Sequence, residues 1–253
     1  MAETEVLAVP PMTKRPDLGR SRVEYATGLS LLGLTSGLTS VDFLIGGLKP
    51  DTIALLTGPE ISLRAAEGYC VRAQLQPARG GIDGSAFFID AGNSFDVYLF
   101  TALARRHGLD YGSALGRQLL SRAFTIYELR SLIEDSSVFT LRKPKLLVVS
   151  EVFSLFTEDI DRYEVQRVFR NISSAVSGVS EREGVHVLLT SAARHELIAP
   201  ILEERCSVSA DIVRENHYIR SKLFKHPWKA IGETVTEAGP PRYNQDMLRA
   251  EVE

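Results

Sequence analysis

Residues 33–66 read GLTSGLTSVDFLIGGLKPDTIALLTGPEISLRAA, and the organisation of the chain can be followed outward from this stretch. Within it, residues 52–57 form a short apolar run that ends at Gly58 and Pro59, which predicts a buried β-strand. Apolar residues then recur at helical spacing from about residue 62 to 76, which predicts an amphipathic helix. A strand, a Gly-Pro turn and a helix follow in the order typical of a phosphate-binding loop.

The phosphate-binding pattern itself is incomplete. Its signature, G-x-x-x-x-G-K-[ST], uses glycines for close backbone approach, a lysine for the outer phosphates and a hydroxyl for Mg²⁺. Gly58 fits the first position, but Leu63, Arg64 and Ala65 stand at the second glycine, the lysine and the hydroxyl. Taken alone, the segment is an ordinary strand–turn–helix. Its candidate nucleotide-binding residues are Gly58, Pro59, Glu60, Ser62, Arg64 and Ala65.

Predicted strands and helices alternate beyond this segment. The pattern predicts three more buried strands and two more long helices: strands at 85–90, 145–150 and 184–191, and helices at 95–107 and 165–179. Apolar strands separated by helices indicate a mainly parallel sheet covered on both sides. Alternating residues around Glu215 and Asn216 predict an antiparallel hairpin over about 206–224. The predicted fold class is α/β, with a C-terminal antiparallel hairpin.

Composition and termini limit the domain organisation and the location. The 253 residues are 44% hydrophobic and 24% charged, which excludes a wholly disordered or coiled-coil chain. Prolines mixed with charges predict a flexible lead-in at 1–27, a single core domain at 28–237 and a tail at 238–253. No apolar run is long enough to span a membrane and the N-terminus is acidic, so we predict a cytoplasmic protein without a membrane partner.

Charge, cysteine and histidine counts exclude further classes of function. The net charge of −3 and the pI near 6.0 exclude a protein that coats nucleic acid with its whole surface. Two cysteines are too few for a disulfide framework, and the five histidines are scattered without ligand spacing. We therefore predict no metal site.

The segment at 33–66 resembles the lead-in and phosphate loop of the RecA/RadA superfamily of recombinase ATPases and of the related KaiC-type proteins. Its GPEISLRAA stretch lies residue for residue over GPESSGKTT of that superfamily. The lead-in matches the superfamily pattern at Ser36-Gly37, Val41-Asp42, Leu44 and Gly46-Gly47-Leu48. The resemblance continues in order over about 33–230 and implies a RecA-like P-loop NTPase core.

The same resemblance implies that the catalytic side chains are absent. Gly92 stands where the superfamily has the glutamate that activates water, and Ser150 stands at the Walker B aspartate. Ala192 replaces the glutamine that senses the γ-phosphate, while Leu63 and Ala65 replace the loop glycine and hydroxyl. Phosphoryl transfer depends on positioned cations and a positioned water, so we predict a pseudo-ATPase rather than an enzyme.

Two side chains keep alternatives open at this site. Arg64 lies near a helix N-terminus, so weak binding of ATP or another anion stays open although we predict no cofactor. Glu151 directly follows Ser150 and could replace the lost metal ligand. One residue further along a strand points to the opposite face, which favours a structural role for Glu151.

The charge pattern predicts where DNA would bind. The first DNA-contacting loop of the recombinases falls on Glu158, Asp159 and Asp161, whose charges repel phosphate, and the second falls near 191–205, which is not basic. Residues 214–229 instead combine basic and aromatic side chains, the composition of a single-strand-binding groove. The candidates are Arg214, Tyr218, Arg220, Lys222, Lys225 and Lys229.

These observations predict a catalytically degenerate RecA-like accessory factor in DNA recombination and repair. It would bind single-stranded DNA, a recombinase partner or a second copy of itself. The alternatives are a KaiC-type signalling pseudo-ATPase without a DNA role and a weak residual ATPase. Recombinases polymerise through an aromatic-x-x-Ala linker motif, and no F-x-x-A occurs in residues 1–35.

Overall fold

The computed structural model describes residues 33–156 and 161–237. In these ranges eight strands form one sheet in the order β3-β2-β4-β5-β1-β6-β7-β8. The strands are β1 (Ile53–Thr57), β2 (Ala86–Asp90), β3 (Gln118–Arg122), β4 (Leu146–Ser150), β5 (His186–Ser191), β6 (Val208–Glu215), β7 (Tyr218–Lys225) and β8 (Gly232–Glu237). The helices are α1 (Thr39–Ile45), α2 (Ile61–Ala73), α3 (Val97–Arg106), α4 (Tyr111–Gly116), α5 (Ile126–Glu134), α6 (Ser136–Arg142), α7 (Arg162–Glu183) and α8 (Ala199–Glu203).

The first six strands of the sheet are parallel, and the last two are antiparallel. Every residue of β1, β2, β4 and β5 is buried. Strands with this burial must be covered on both faces, so helices have to connect them. This arrangement confirms the predicted α/β class with a C-terminal antiparallel hairpin.

Alternate residues of each central strand build two separate cores. Leu56 and Val148 belong to the core that α2 and α3 cover, whereas Leu55 and Val149 belong to the core that α5 and α7 cover. This division follows from the pleat, which turns successive side chains to opposite faces. The apolar runs in the sequence are continuous because both faces are buried.

The hairpin lies where the sequence pattern indicates, and the sheet continues beyond it. β6 and β7 pair antiparallel around Asn216, whose φ of 52° is the left-handed conformation that asparagine tolerates in turns. The third strand, β8, pairs with β7 and was not predicted. The elements between residues 111 and 142 were not predicted either.

The predicted boundaries at residues 27 and 237 stay predictions, because residues 1–32 and 238–253 lie outside the described residues. In residues 33–156 and 161–237, no helix is both long and apolar enough to cross a membrane. The cytoplasmic location stays a prediction.

Candidate functional site

The carboxyl ends of β1, β2, β4 and β5 meet at one edge of the sheet. In a parallel α/β sheet this edge is where ligands bind, because loops and helix N-termini converge there. The strands end here at Thr57, Asp90, Ser150 and Ser191. The structure therefore brings together all the nucleotide-site positions named from the sequence: the loop 58–65, Gly92, Ser150 and Glu151.

The turn between β1 and α2 is short. Helix α2 begins at Ile61, and the N–H of Arg64 already donates to the carbonyl of Glu60 at 3.0 Å. Glu60 has a φ of 61°, which reverses the chain within this turn. Ser62 is fully buried, and its Oγ donates to the carbonyls of Gly58 at 2.5 Å and Ser191 at 3.2 Å. The Ser62 hydroxyl is thus engaged by the protein itself.

The close approach of strand β6 requires a glycine at position 58. Its φ is 125°, and a Cβ atom there would lie 1.9 Å from the carbonyl oxygen of Ile212 on β6. Backbone cannot move aside as the end of a side chain can, so only glycine fits. The one intact residue of the phosphate-loop signature therefore has a packing reason to be glycine that needs no nucleotide.

Arg64 is held by an ion pair. Its Nη2 lies 2.8 Å from Oε1 of Glu60, one helical turn away, and both side chains are partly exposed. An anion at this helix end would compete with Glu60 for the guanidinium group. The next residue, Ala65, is completely buried and has no side-chain oxygen to offer a metal ion.

Glu151 fills the space above Gly92. A Cβ atom on Gly92 would lie 2.4 Å from Cγ of Glu151, so no side chain fits there. The Glu151 carboxylate accepts hydrogen bonds from the N–H of Ala192 at 2.9 Å and from Oγ of Ser191 at 3.2 Å. One side chain therefore contacts both Gly92 and Ala192, the positions that the resemblance assigns to the catalytic glutamate and the sensor glutamine.

From the sequence, Glu151 was assumed to continue the strand and therefore to point to the opposite face, and this assumption was wrong. Strand β4 ends at Ser150, and Glu151 has a φ of 58°, so strand alternation does not apply to it. The left-handed residue turns its side chain back to the nucleotide-site edge. Its carboxylate accepts hydrogen bonds from Ser191 and Ala192, and the structural role of Glu151 stays a prediction.

Ser150, at the Walker B position, is buried among hydroxyl groups. Its Oγ lies 2.8 Å from Oγ of Ser94 and accepts from Oγ1 of Thr190 at 3.3 Å. Next to it, the buried carboxylate of Asp90 accepts from the N–H of Ser94 at 2.8 Å and from Gly92 at 3.3 Å. Asp90 was not among the site residues expected from the sequence. An acidic residue at the end of a buried strand could have indicated it.

Glu67 is a second carboxylate that sequence reasoning missed. It lies on α2 with only 3% of its surface exposed, and its Oε1 accepts from the N–H of Asp96 at 2.7 Å. Its Oε2 has no hydrogen-bond partner among the described residues. Burial, with the charge of Asp96, raises the pKa of Glu67 to about 8. An acidic residue within the apolar spacing of α2 could have revealed it.

The DNA-binding candidates on β7 lie on one face, as expected. Tyr218, Arg220 and Lys222 are exposed and alternate with buried or half-buried residues. The same face carries four carboxylates directly opposite Tyr218 and Lys222 on the two neighbouring strands, from Asp211, Glu215, Glu233 and Glu237. Arg220 is also ion-paired with Glu215. Four carboxylates against two cations make this face acidic rather than basic.

The remaining DNA-binding candidates lie elsewhere. Lys225 donates through Nζ to the carbonyl of Glu203 at 2.8 Å, at the end of α8. Lys229 donates to the carbonyls of Phe43 and Leu44 at the end of α1. Arg214 lies opposite Ile219, on the other face of the hairpin. The six residues therefore do not form a single surface.

The region expected to hold the second DNA loop is fixed by an ion pair. Arg194 bonds to both carboxylate oxygens of Glu203, and its guanidinium lies 3.9 Å from the ring centre of Phe224. Burial opposes ionisation of Glu203, but hydrogen bonds from Arg194 and Ser209 outweigh it and lower the pKa. Of the acidic residues at the first loop, Asp161 caps α7, and Glu158 and Asp159 lie outside the described residues.

Comparisons with known proteins agree with the observed α/β fold. The family model described as Rad51 matches residues 28–200. "DNA repair protein RAD51 homolog B" of Zea mays is 27% identical over 175 residues, which is 66% of this chain and 52% of that protein. "DNA repair protein RAD51 homolog 1" of Arabidopsis thaliana is also 27% identical over 175 residues, 66% of this chain and 51% of that protein.

A meiotic protein matches over nearly the same length. "Meiotic recombination protein DMC1 homolog" of Glycine max is 27% identical over 170 residues, 64% of this chain and 49% of that protein. The chain spans about half the length of the curated relatives it matches.

Proposed function

We propose a function on the premise that the chain belongs to the Rad51 family, within the RecA/RadA superfamily of recombinases. The relatives are described as DNA repair and meiotic recombination proteins, and we assign this protein to DNA recombination and repair. It acts there as an accessory factor that does not hydrolyse ATP and that works by binding a recombinase partner.

The contact between Glu151 and Gly92 carries the proposal. A catalytic site needs a free carboxylate to position water and a free group to sense the γ-phosphate. Here the carboxylate of Glu151, whose side chain packs on Gly92, is hydrogen-bonded to Ser191 and Ala192. At Gly92, the position of the catalytic base, Glu151 leaves no room for a side chain. At Ala192, the position of the sensor, the backbone N–H is bonded to Glu151.

The rest of the edge does not fit Mg²⁺-ATP. Ala65 offers no oxygen to a metal ion, and Leu63 adds bulk where backbone must approach phosphate. Arg64, the only retained cation of the loop, is paired with Glu60. Loss of metal ligands and base costs roughly several factors of ten in rate each, so we expect no turnover.

An open sheet edge supports the binding of a recombinase. β3 ends the sheet, and its outer side pairs with no strand in residues 33–156 and 161–237. Leu120, Phe124 and Tyr127 are exposed beside it. We propose that an extended segment of a recombinase, such as its aromatic-x-x-Ala linker, adds to β3 and packs an aromatic residue on this cluster.

The test measures ATPase turnover and recombinase binding on the same preparation. We expect no turnover with Mg²⁺ and single-stranded DNA present, together with capture of a purified recombinase. Leu120→Glu should abolish capture, whereas Val235→Glu, at an exposed apolar residue on the far edge of the sheet, should not. Turnover that Arg64→Ala abolishes would refute the pseudo-ATPase proposal.

DNA contact through the hairpin is a second candidate. Tyr218, Arg220 and Lys222 share an exposed face, but its four carboxylates favour a protein over a phosphate backbone. The double variant Arg220→Glu/Lys222→Glu tests whether this face binds single-stranded DNA. Loss of single-strand binding at low salt would support the hairpin as the DNA site, and unchanged binding would remove it.

A further inference from the structure

Two aromatic residues and Ile231, all exposed, lie with two half-buried lysines at the amino ends of the parallel strands, whereas the nucleotide site lies at the carboxyl ends. We name it the Trp228 surface, and its members are Phe43, Lys49, Trp228, Lys229 and Ile231. Nζ of Lys49 lies 4.3 Å from the ring centre of Trp228, and Nζ of Lys229 lies 4.9 Å from that of Phe43. Lys49 precedes β1. Lys225, the last residue of β7 and three residues before Trp228, lies opposite Ser209 at the start of β6. The surface therefore lies at the amino ends of the parallel strands.

The segment that carries Trp228 is held by His226. Nδ1 of His226 accepts from the N–H groups of Trp228 at 3.2 Å and Lys229 at 3.0 Å. Because Nδ1 accepts, the ring proton is on Nε2, which donates to the carbonyl of Ile45 at 3.0 Å. The Lys229 ammonium donates to two further carbonyls at the end of α1. These hydrogen bonds hold the backbone around Trp228 against the end of α1.

Three large apolar side chains of this surface are exposed, and Ile231 follows Trp228 by three residues in the chain. Phe43 is 53% exposed, Trp228 is 52% exposed and Ile231 is 68% exposed. Single exposed apolar residues are common, but a group of them with charges around it is typical of interfaces. In the part of the chain that the structure describes, no carboxylate forms an ion pair with Lys49 or Lys229. The apolar side chains are therefore accompanied by two lysines that form no ion pair among the described residues, one of which, Lys229, donates to backbone carbonyls.

We propose that the Trp228 surface binds an acidic segment of a partner protein. An apolar side chain of that segment packs on Phe43, Trp228 and Ile231, and its carboxylates pair with Lys49 and Lys229. Aromatic anchors with charges at the rim are the composition that dominates binding energy in protein interfaces. The proposal goes beyond the proposed function, because it involves neither the nucleotide edge nor β3.

The same observations favour a protein over single-stranded nucleic acid. Affinity for a phosphate backbone grows with the number of cations that contact it, and only two lysines border this surface. Bases stack on aromatic rings, whereas Ile231, the most exposed apolar member, has no ring. An aliphatic side chain packs equally well on Ile231 and on the two aromatic residues.

Trp228 is the only tryptophan of the chain, so its fluorescence reports on this surface alone. The probe is a synthetic peptide, acetyl-Glu-Glu-Phe-Glu-Glu-amide, with the corresponding lysine peptide and an oligothymidylate as comparators. We expect the acidic peptide to change Trp228 emission saturably, with a dissociation constant of roughly millimolar or below. The lysine peptide should cause no saturable change.

Lys49→Glu should weaken binding of the acidic peptide about tenfold or more, because it places like charges opposite each other. Lys222→Glu is the matched control. Its ammonium also lies near an aromatic ring, 5.2 Å from Phe224, but Asp211 and Glu233 lie directly opposite it. This variant should bind the peptide as the wild type does, and circular dichroism should show both variants folded.

Three results would overturn this proposal without affecting the proposed function. The acidic peptide could leave Trp228 emission unchanged. Oligothymidylate could bind more tightly than the peptide and lose affinity in Lys49→Glu, which would assign the surface to nucleic acid. Emission could also change with protein concentration alone, which would assign it to a second copy of the chain.

Discussion

At the scale of single residues, Gly92 and Glu151 leave no room for another atom between them. A methyl group on Gly92 would lie 2.4 Å from Cγ of Glu151. We expect Gly92→Ala to lower the free energy of unfolding by about 1–3 kcal/mol, measured by chemical denaturation. Gly116→Ala is the matched control, since a methyl group there meets no atom within 4 Å, and its stability should not fall.

A double-mutant cycle separates this contact from a general effect of the site. Glu151 has a φ of 58°, which glycine adopts freely, so Glu151→Gly removes the obstructing side chain without adding backbone strain. Gly92→Ala should then cost less stability in the Glu151→Gly background than in the wild type. Equal costs in both backgrounds would show that the two residues are not coupled.

Glu67 makes stability depend on pH. Burial, with the charge of Asp96, raises its pKa from 4.5 to about 8, so between these values the folded protein keeps a proton that the unfolded chain releases. This stabilisation is fully present below pH 4.5 and is lost as the pH rises through about 8. The loss reaches about 1.4 kcal/mol per pH unit.

Glu67→Gln has no titrating proton and should remove this dependence. The measurement is the urea midpoint of both proteins at about pH 5 and about pH 8. The wild type should lose more stability than the variant between the two conditions. If both proteins lose the same amount, Glu67 does not hold a proton in the folded state.

At the scale of elements, the turn after β7 depends on a neutral His226. Burial lowers the pKa of His226, and the charges of Lys229 and Lys49 lower it further. As the pH falls below the ordinary value of 6.5, the unfolded chain takes up this proton first, so the folded turn loses stability. A proton on Nδ1 would also remove the acceptor for two N–H groups.

Trp228 emission measures this turn. We expect it to shift toward that of a solvent-exposed tryptophan as the pH falls below 6.5, and we expect His226→Ala to show the shifted emission already at neutral pH. His186→Gln serves as the control, because His186 is a buried histidine that lies on β5, away from this turn. Emission of His226→Ala that equals the wild type at neutral pH would mean that His226 does not hold the turn.

The strands that the sequence predicted share one property: each is recognisable from the apolar run of its own residues. β1, β2, β4 and β5 are mostly apolar and end in a polar residue, and each lies within two residues of its predicted bounds. β3 and β8 were missed because they are edge strands, half-buried and fully exposed respectively. An edge strand is stabilised by the hydrogen bonds and side-chain pairs it makes with its neighbour, which no local periodicity reveals.

At the scale of the whole molecule, nucleotide binding would show in global stability. A ligand that binds only the folded state raises stability by about 2.7 kcal/mol at a concentration one hundred times its dissociation constant. We expect millimolar ATP, with or without Mg²⁺, to leave the thermal midpoint unchanged, because Arg64 is paired with Glu60 and Ala65 offers no ligand. A midpoint that ATP raises in the wild type but not in Arg64→Ala would contradict this expectation.

The sequence by itself determined the α/β class and the relation to the recombinases, and it predicts the replacement of the catalytic side chains. These conclusions depend on residue types at fixed spacing along the chain: buried strands, the helical pattern after Gly58, and Gly92 and Ser150 at the ends of strands. Information of this kind is local, because the period of a strand or helix and the identity of a residue need no knowledge of its neighbours in space.

Only the tertiary structure decided the charge of the surfaces and the contacts within the candidate nucleotide site. Lys222 is 11 residues from both Asp211 and Glu233 in the sequence, and the three meet only through the register of β6, β7 and β8. Glu151 reaches Gly92 because it adopts a left-handed conformation directly after β4, and Nζ of Lys49 lies 4.3 Å from the ring centre of Trp228. Register and loop geometry arise from the packing of distant segments, so a basic run in the sequence became an acidic face in the fold.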